Sequence, residues 1–322
     1  MSRGRIPKRV IYYKENMFTK LHAVADQVGQ IIVGKDLQIR QALTCLLAGG
    51  HLLVEDVPGV GKTTLSHALA ISLGLQFNRI QFTSDLLPAD VAGISIYERE
   101  ANAFMFHPGP IFTQVLLADE INRATPKTQS GLLEAMEERQ ISADGVTRPL
   151  PEPFFVIATQ NPTHQIGTFP LPESQLDRFL MCLSLGYPDA AAERALLMGE
   201  DRRSMLKALS AQMSAEELAE AQRGLRKIHT SASLVDYVHA LVQATRQNGS
   251  FAEGLSPRAG LALMQAARAW AALEGRDHVI PEDVQAVLVP VCAHRLRPVK
   301  SSQGVALASR DLVLQLQKSV PV

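Results

Sequence analysis

The sequence carries no net charge: 32 lysines and arginines balance 32 aspartates and glutamates. That balance argues against bulk binding of nucleic acid or another polyanion and leaves room only for a local basic patch. Cysteine is scarce. Cys45, Cys182 and Cys292 lie far apart, each in apolar sequence, and no CxxC pair exists, which argues against a metal site or a disulfide framework. Three reduced core thiols fit a cytoplasmic protein. No run approaches the roughly 18 apolar residues of a membrane helix. The first residues are basic but lack the apolar centre of a signal peptide; residues 1–16 read as a flexible basic tail, with Met17 an alternative start. What the chain does have is 46% hydrophobic residues over 322 positions, enough for a core in one large domain or two ordinary ones.

Between Met17 and about Gly186 the pattern alternates helix and strand. Asp36 to Ala48 is amphipathic and closed by Gly49-Gly50. His51 to Glu55, Leu75 to Phe82, Gln114 to Glu120 and Phe154 to Asn161 read as strands, with helices at Thr63 to Leu73 and Pro126 to Arg139. Such alternation predicts a parallel sheet covered on both faces. Two segments break it. Gly93 to Phe112 alternates around Ile94/Ile96 and Phe104/Phe106, with a turn near Arg99 to Ala103. Gln140 to Leu150 holds Asp144-Gly145 between short alternating arms. Both predict β-hairpins. After Tyr187-Pro188 strand-like runs vanish and helical spacing covers 189–208, 215–229, 233–247, 257–273 and 281–296. The reading is an α/β domain over 17–186 and a helical domain over 187–322.

The chemistry concentrates in "EDVPGVGKTT". Gly59 and Gly61 let backbone N–H groups approach an anion, and the following helix start favours negative charge. Lys62 supplies a cation for the β- and γ-phosphates and Thr63 a hydroxyl for Mg²⁺. The full pattern places a further glycine at 56, where this chain has Asp56. Aspartate tolerates an unusual backbone angle better than most residues and turns its side chain to loop backbone, so the expectation is a strained Asp56 facing away from phosphate. Asp119-Glu120 ends an apolar strand. Asp119 suits Mg²⁺ held through water, and Glu120 suits deprotonation of an attacking water. Asn161, at the next strand end, is placed to bond both the water and the γ-phosphate, or to make a turn with Pro162. Ser256 reads as an N-cap and Pro257 as the first helical residue, which puts Arg258 in the first turn of a lid helix, where it can reach back to the γ-phosphate. Arg178, in "LPESQLDRFL", is the other arginine singled out.

These residues form a set. "IIVGK" (31–35), "LLAGGHLLVEDVPGVGKT" (46–63), "RIQFTSDLLPADVAGI" (79–94), "GPIFTQVLLADEINRATPKTQSGLLEAMEERQ" (109–140), "LPEPFFVIATQNP" (150–162), "FPLPESQLDRFLM" (169–181) and "LSPRAGLALMQAARAWA" (255–271) follow one another in the order of the MoxR family of AAA+ ATPases, which the chain resembles from about Met17 to Arg297. The resemblance implies an αβα P-loop sandwich with hairpin insertions and a C-terminal all-α lid. It implies ATP/ADP and Mg²⁺ as ligands and a Walker A loop from Pro58 through Gly59, Val60, Gly61, Lys62 and Thr63 to Thr64. Walker B would be Asp119 and Glu120, with Asp119 and Thr63 as the metal pair, and Val33-Gly34 would flank adenine. Asn161 would be sensor 1, Arg258 sensor 2, and Arg178 an arginine finger acting on the neighbouring subunit, with Arg123 a second candidate for that contact. A homo-hexameric ring is implied, chaperone-like, working on protein partners that often carry von Willebrand factor A domains.

Two other readings stay on the table. Related AAA+ motors with the same two hairpins act on nucleic acid, but the 140–150 hairpin offers only Arg148 as a base, opposed by Asp144. A non-hydrolysing sensor or transcriptional regulator is disfavoured by Glu120, Asn161, Arg178 and Arg258 all being present. Phe104, Met105 and Phe106 either grip a partner or pack within their hairpin.

Overall fold

The structure is a computed structural model and describes residues 8–161, 167–199, 202–247, 249–299 and 308–322. In chain order the elements begin with α1 (Lys8–Ile31), α2 (Asp36–Leu47), β1 (His51–Glu55), α3 (Lys62–Ser72), β2 (Phe77–Gln81), α4 (Pro88–Ala92), β3 (Gly93–Glu98), β4 (Ala103–Pro108) and β5 (Val115–Asp119). They continue with α5 (Pro126–Glu138), β6 (Gln140–Ala143), β7 (Val146–Pro149), β8 (Phe155–Gln160), α6 (Glu173–Leu176) and β9 (Phe179–Leu183). Beyond β9 only helices follow: α7 (Ala190–Met198), α8 (Arg202–Ala208), α9 (Ala215–Gly224), α10 (Ala232–Gln247), α11 (Pro257–Leu273), α12 (Pro281–Cys292) and α13 (Ser309–Ser319), with short 3₁₀ turns between some of them.

Five strands pair in parallel in the order β2-β5-β8-β1-β9. Both faces are covered, so the central strands read as unbroken apolar runs. Strand periodicity divides their side chains between two cores. Leu52, Val54, Leu117 and Ile157 face one side, against α1, α2 and α3; Leu53, Leu116, Val156 and Ala158 face the other, against Leu132, Leu133 and Met136 of α5. The first core runs on without interruption into the C-terminal helices, through Leu263 and Ala267 of α11 and Val284 and Leu288 of α12. Those helices lie over α2 and the edge strand β9.

All strand ends carrying Asp56, Asp119, Glu120 and Asn161 are C-terminal ends of a parallel sheet, the edge where α/β folds bind ligands. Both hairpins form, β3 with β4 and β6 with β7, in the expected places and outside the main sheet. They touch each other: Ser95 Oγ donates to Asp144 Oδ2 and the Arg148 guanidinium lies 3.8 Å from the Phe106 ring centre. Phe106 therefore packs, with Phe112 edge-on to it, while Phe104 stays 73% exposed.

Several sequence expectations are revised. Helix α1 extends back to Lys8, into the stretch read as a tail, and the rest of that tail, residues 1–7, lies outside the described residues. Further along α1, Leu21, Val24, Val28 and Ile31 form a buried stripe at helical spacing that anchors it on the core. The single helix expected over 189–208 ends at Met198, because Gly199 takes an extended conformation. The helix expected to Leu296 ends at Cys292 and gives way to a 3₁₀ turn. Segment Phe179–Leu183 is a fifth core strand that sequence reading passed over. Cys45 and Cys292 are buried, and burial raises all three thiols well above the usual range, Cys292 to about 12.

Candidate active site

The loop after β1 turns on two glycines. Gly59 has φ 86° and Gly61 φ 96°, in the left-handed region where a side chain is strained. Helix α3 starts immediately at Lys62, so its first-turn N–H groups, those of Lys62, Thr63 and Thr64, have no intrahelical acceptors and face the loop. Pro58 and Gly59 are exposed, and no atom lies within 4 Å of where a Cβ on Gly59 would stand. The loop is thus open to an anion on its outer side. Lys62 is only 8% exposed; its ammonium donates to the Asp56 carbonyl at 2.6 Å and to Asn161 Oδ1 at 3.2 Å. Burial holds its pKa below the usual lysine range, against the opposing pull of Asp56, Asp119 and Glu120.

Asp56 has a different reason to be there than the one expected. It is absent from the residues with positive φ, so its backbone is ordinary. Its carboxylate does turn from the loop's outer side: Oδ1 accepts from the N–H of Val57 at 2.8 Å, and Oδ2 accepts from Ser184 Oγ at 3.0 Å and the N–H of Gly186 at 2.6 Å. Asp56 ties the loop to the segment that leads from β9 into the helical region. Asp56→Gly, which completes the standard loop pattern, should therefore destabilise the fold by roughly 1–2 kcal/mol, since the partly exposed donors of Val57, Ser184 and Gly186 lose their acceptor. Chemical denaturation measures this, and an unchanged midpoint would show that the tie carries no weight.

Asp119 and Glu120 close β5. Thr159 on the neighbouring β8 donates its hydroxyl to Asp119 Oδ1 and accepts from the N–H of Glu120 at 2.8 Å. Arg79 of β2 pairs with Asp119 Oδ2 through Nε at 3.1 Å and Nη2 at 2.7 Å. Glu120 sits at φ 56°, an uncommon angle for a residue with a side chain and one that turns it out of the strand. Its carboxylate is held on both oxygens, by Asn161 Nδ2 at 3.2 Å and by Arg123 Nε at 2.8 Å. Asn161 thereby bridges Lys62 and Glu120. Arg123, the alternative candidate for an intersubunit contact, is engaged by the carboxylate of its own chain.

A magnesium ion is implied by the family the motifs resemble, and the donor set suits one. Mg²⁺ keeps several waters and takes only one or two protein groups beside phosphate oxygens. The Thr63 hydroxyl and the Asp119 carboxylate suffice for that. No cluster of three His, Cys, Asp or Glu side chains exists among the described residues, and such a site needs none. Val33 and Gly34 lie in the turn between α1 and α2, beside the loop: Ile32 Cδ1 lies 3.7 Å from where a Gly61 Cβ would be. A Cβ on Gly34 would sit 2.9 Å from Ala192 of α7, so the turn is pressed against the first helix after the sheet.

Arg178 and Arg258 are elsewhere. Arg178 immediately precedes β9, which starts beside His51, so it lies at the N-terminal edge of the sheet. The loop lies past the other end of β1, about 16 Å away at a strand's rise per residue. Arg258 does not reach back to that loop as expected. The cap and first turn of α11 form as read, with Ser256 Oγ accepting from the N–H of Ala259, but α11 packs along α2 and delivers Arg258 to the same edge as Arg178. Both arginines meet on one carboxylate that sequence reading missed: Glu137 Oε2 lies 3.1 Å from Arg178 and Oε1 3.3 Å from Arg258. Arg178 also donates to the Leu133 carbonyl, and Asp177 sits 3.8 Å from Arg258 and 2.7 Å from Arg295. The cluster borders a cavity of about 270 Å³ floored by Gly49, Gly50 and His51. Burial lowers the His51 pKa to about 4, so the ring is neutral; it accepts from the N–H of Val156 on Nδ1 and donates from Nε2 to the Met136 carbonyl.

Residues 51–181 match the family described as ATPases associated with various cellular activities (AAA), and residues 243–313 match an AAA lid domain. Over 84% of its length the chain is 43% identical to chaperone MoxR1 of Mycobacterium tuberculosis, covering 74% of that protein. The chain belongs to the MoxR family of AAA+ ATPases. MoxR of Paracoccus denitrificans is 36% identical over 83% of this chain and 85% of its own. YeaC of Bacillus subtilis is 44% identical over 96% of this chain and 97% of its own. The crystal structure of a candidate ATPase from Cytophaga hutchinsonii superposes with a TM-score of 0.88 at 35% identity, covering 98% of both chains. This MoxR-family chain thus has the family's fold throughout: a parallel sheet, two hairpins and a helical C-terminal part.

Proposed function

We propose that this chain hydrolyses ATP with Mg²⁺ in a ring of identical subunits, and uses the cycle to remodel protein partners. The observation that carries this reading is the split of its polar machinery. Lys62, Asp119, Glu120 and Asn161 stand at one edge of the sheet, while Arg178 and Arg258 stand at the other, beyond reach of their own chain's loop. A subunit alone holds half of each of two sites. Residues 58–64 bind the phosphates, with Val33 and Gly34 beside the adenine. A magnesium ion, which Thr63 and Asp119 would hold, would supply charge neutralisation on the β- and γ-phosphates. Glu120 takes the proton of the attacking water, and Asn161 orients it. Arg178 and Arg258 both face the neighbour's nucleotide, so the lid arginine acts between subunits rather than within one. Six subunits are the number the family resemblance implies.

A protein partner is favoured over nucleic acid. Arg148, the one base on the 140–150 hairpin, is spent on Phe106 and on the carbonyls of Ala143 and Val146. The other hairpin exposes Ile94, Ile96, Tyr97, Phe104 and Met105, next to a tip that carries Arg99 and Glu100. One relative bears the name chaperone, and the resemblance points to partners with von Willebrand factor A domains. The test is the concentration dependence of turnover. Specific ATPase activity should rise as subunits assemble and then level off. Equal specific activity in a range where the chain sediments as a monomer would overturn the proposal.

A further inference from the structure

We infer that Glu137 is a positioning residue for hydrolysis: it holds Arg178 and Arg258 as one fork aimed at the neighbouring subunit's γ-phosphate. This rests on the reading of Arg178 and Arg258 as groups acting across a subunit interface.

Two guanidiniums side by side repel, and each ends a long flexible side chain. Glu137 bridges them with one oxygen apiece. A carboxylate presents two oxygens in a plane, as one face of a phosphoryl group does, so it spaces the arginines for an oxyanion of similar width. Arg178 is fixed a second time by the Leu133 carbonyl, one helical turn before Glu137 on the same face of α5. Asp177 supports Arg258 from the other side.

The stability of the chain gives little reason for this arrangement. Glu137 is 38% exposed, Arg258 54% and Arg178 29%, and ion pairs this open to water contribute little to folding. Glu137 also sits in the last turn of α5, which ends at Glu138 with Arg139 as its C-cap. A negative charge there opposes the helix dipole. The helix accepts an unfavourable residue whose contacts are the two arginines. Helix α5 leads from the Glu120 end of the sheet to its opposite edge. It therefore sets the fork at a fixed distance, about 17 Å along the helix, from the end that carries the chain's own hydrolytic carboxylate.

The test separates this inference from the reading beneath it. Glu137→Gln keeps the shape but sets an amide N–H₂ against one guanidinium. It should lower kcat by about tenfold to a hundredfold, with KM for ATP and the melting temperature unchanged, and Glu137→Asp should recover part of the loss. Mixed rings add a second readout. Glu120→Gln subunits, which still present arginines, should restore turnover to Arg178→Ala subunits; Glu120→Gln/Glu137→Gln subunits should not. If Arg178→Ala loses turnover while Glu137→Gln keeps wild-type kcat, or if the doubly substituted subunits restore activity fully, the inference fails and the intersubunit reading stands. If Arg178→Ala keeps full turnover, that reading fails first.

Discussion

Arg178→Ala should bind ATP as the unsubstituted chain does and lose turnover by about 10³-fold or more, the scale of an arginine that stabilises phosphoryl transfer from across an interface. The expectation follows from position. Arg178 stands before β9, at the end of the sheet opposite to Gly59, Lys62 and Glu120. Truncating it leaves its own loop untouched, so the affinity measured with a fluorescent nucleotide should not change. Phosphate release at saturating ATP reads the loss. The contrast with Arg123 makes the result diagnostic. Arg123 bonds the chain's own Glu120, so Arg123→Ala should disturb hydrolysis within a subunit, and mixing with intact subunits should not repair it. Arg178→Ala should be repaired by neighbours that supply the missing arginine. Loss of ATP affinity in step with turnover would remove Arg178 from the intersubunit role.

The difference between these arginines shows where sequence reading reaches its end. The strands that build the phosphate edge are legible because parallel strands buried on both faces must be apolar throughout, and because Gly59, Gly61, Asp119 and Asn161 punctuate their ends. Thr159 was also within reach: two residues before Asn161 on a strand, it projects from the same side. The α11 cap was legible in Ser256 and Pro257, since capping is local. The direction in which α11 carries Arg258 was not, because it depends on Leu263 and Ala267 packing into a core shared with α2. Strand β9 escaped for a related reason. "FLMCL" lies directly after the short helix α6, and nothing local separates a buried strand of that length from a stretch of helix. Asp56 was read correctly as turned away from phosphate and wrongly as strained, because its partners Ser184 and Gly186 lie 128 and 130 residues on. Glu137 left no local mark: in sequence it stands among Glu134, Glu138 and Arg139, and its partners Arg178 and Arg258 lie far along the chain.

Glu120→Gln should produce a subunit that binds ATP and stops. Glu120 stands past the end of β5, where a water can approach, while Asp119 stays within the strand, bonded to Thr159 and Arg79. Its left-handed backbone turns it out of β5, and Asn161 and Arg123 fix both oxygens. Glutamine keeps the length and one hydrogen bond, from Asn161 to its carbonyl, but has no basic oxygen to accept a proton. A general base is worth about 10²–10⁴ in rate, and turnover should fall by that factor with nucleotide affinity retained. The stalled state is also the one in which a remodelling ATPase holds what it works on. Pull-down with Glu120→Gln in ATP should retain a protein partner that ADP releases and that Lys62→Ala, deprived of its phosphate contact, never captures. Retention that ignores the nucleotide would detach the partner from the ATP cycle. Normal turnover by Glu120→Gln would show that the proton leaves by another route and that the 56° turn at this residue serves something else.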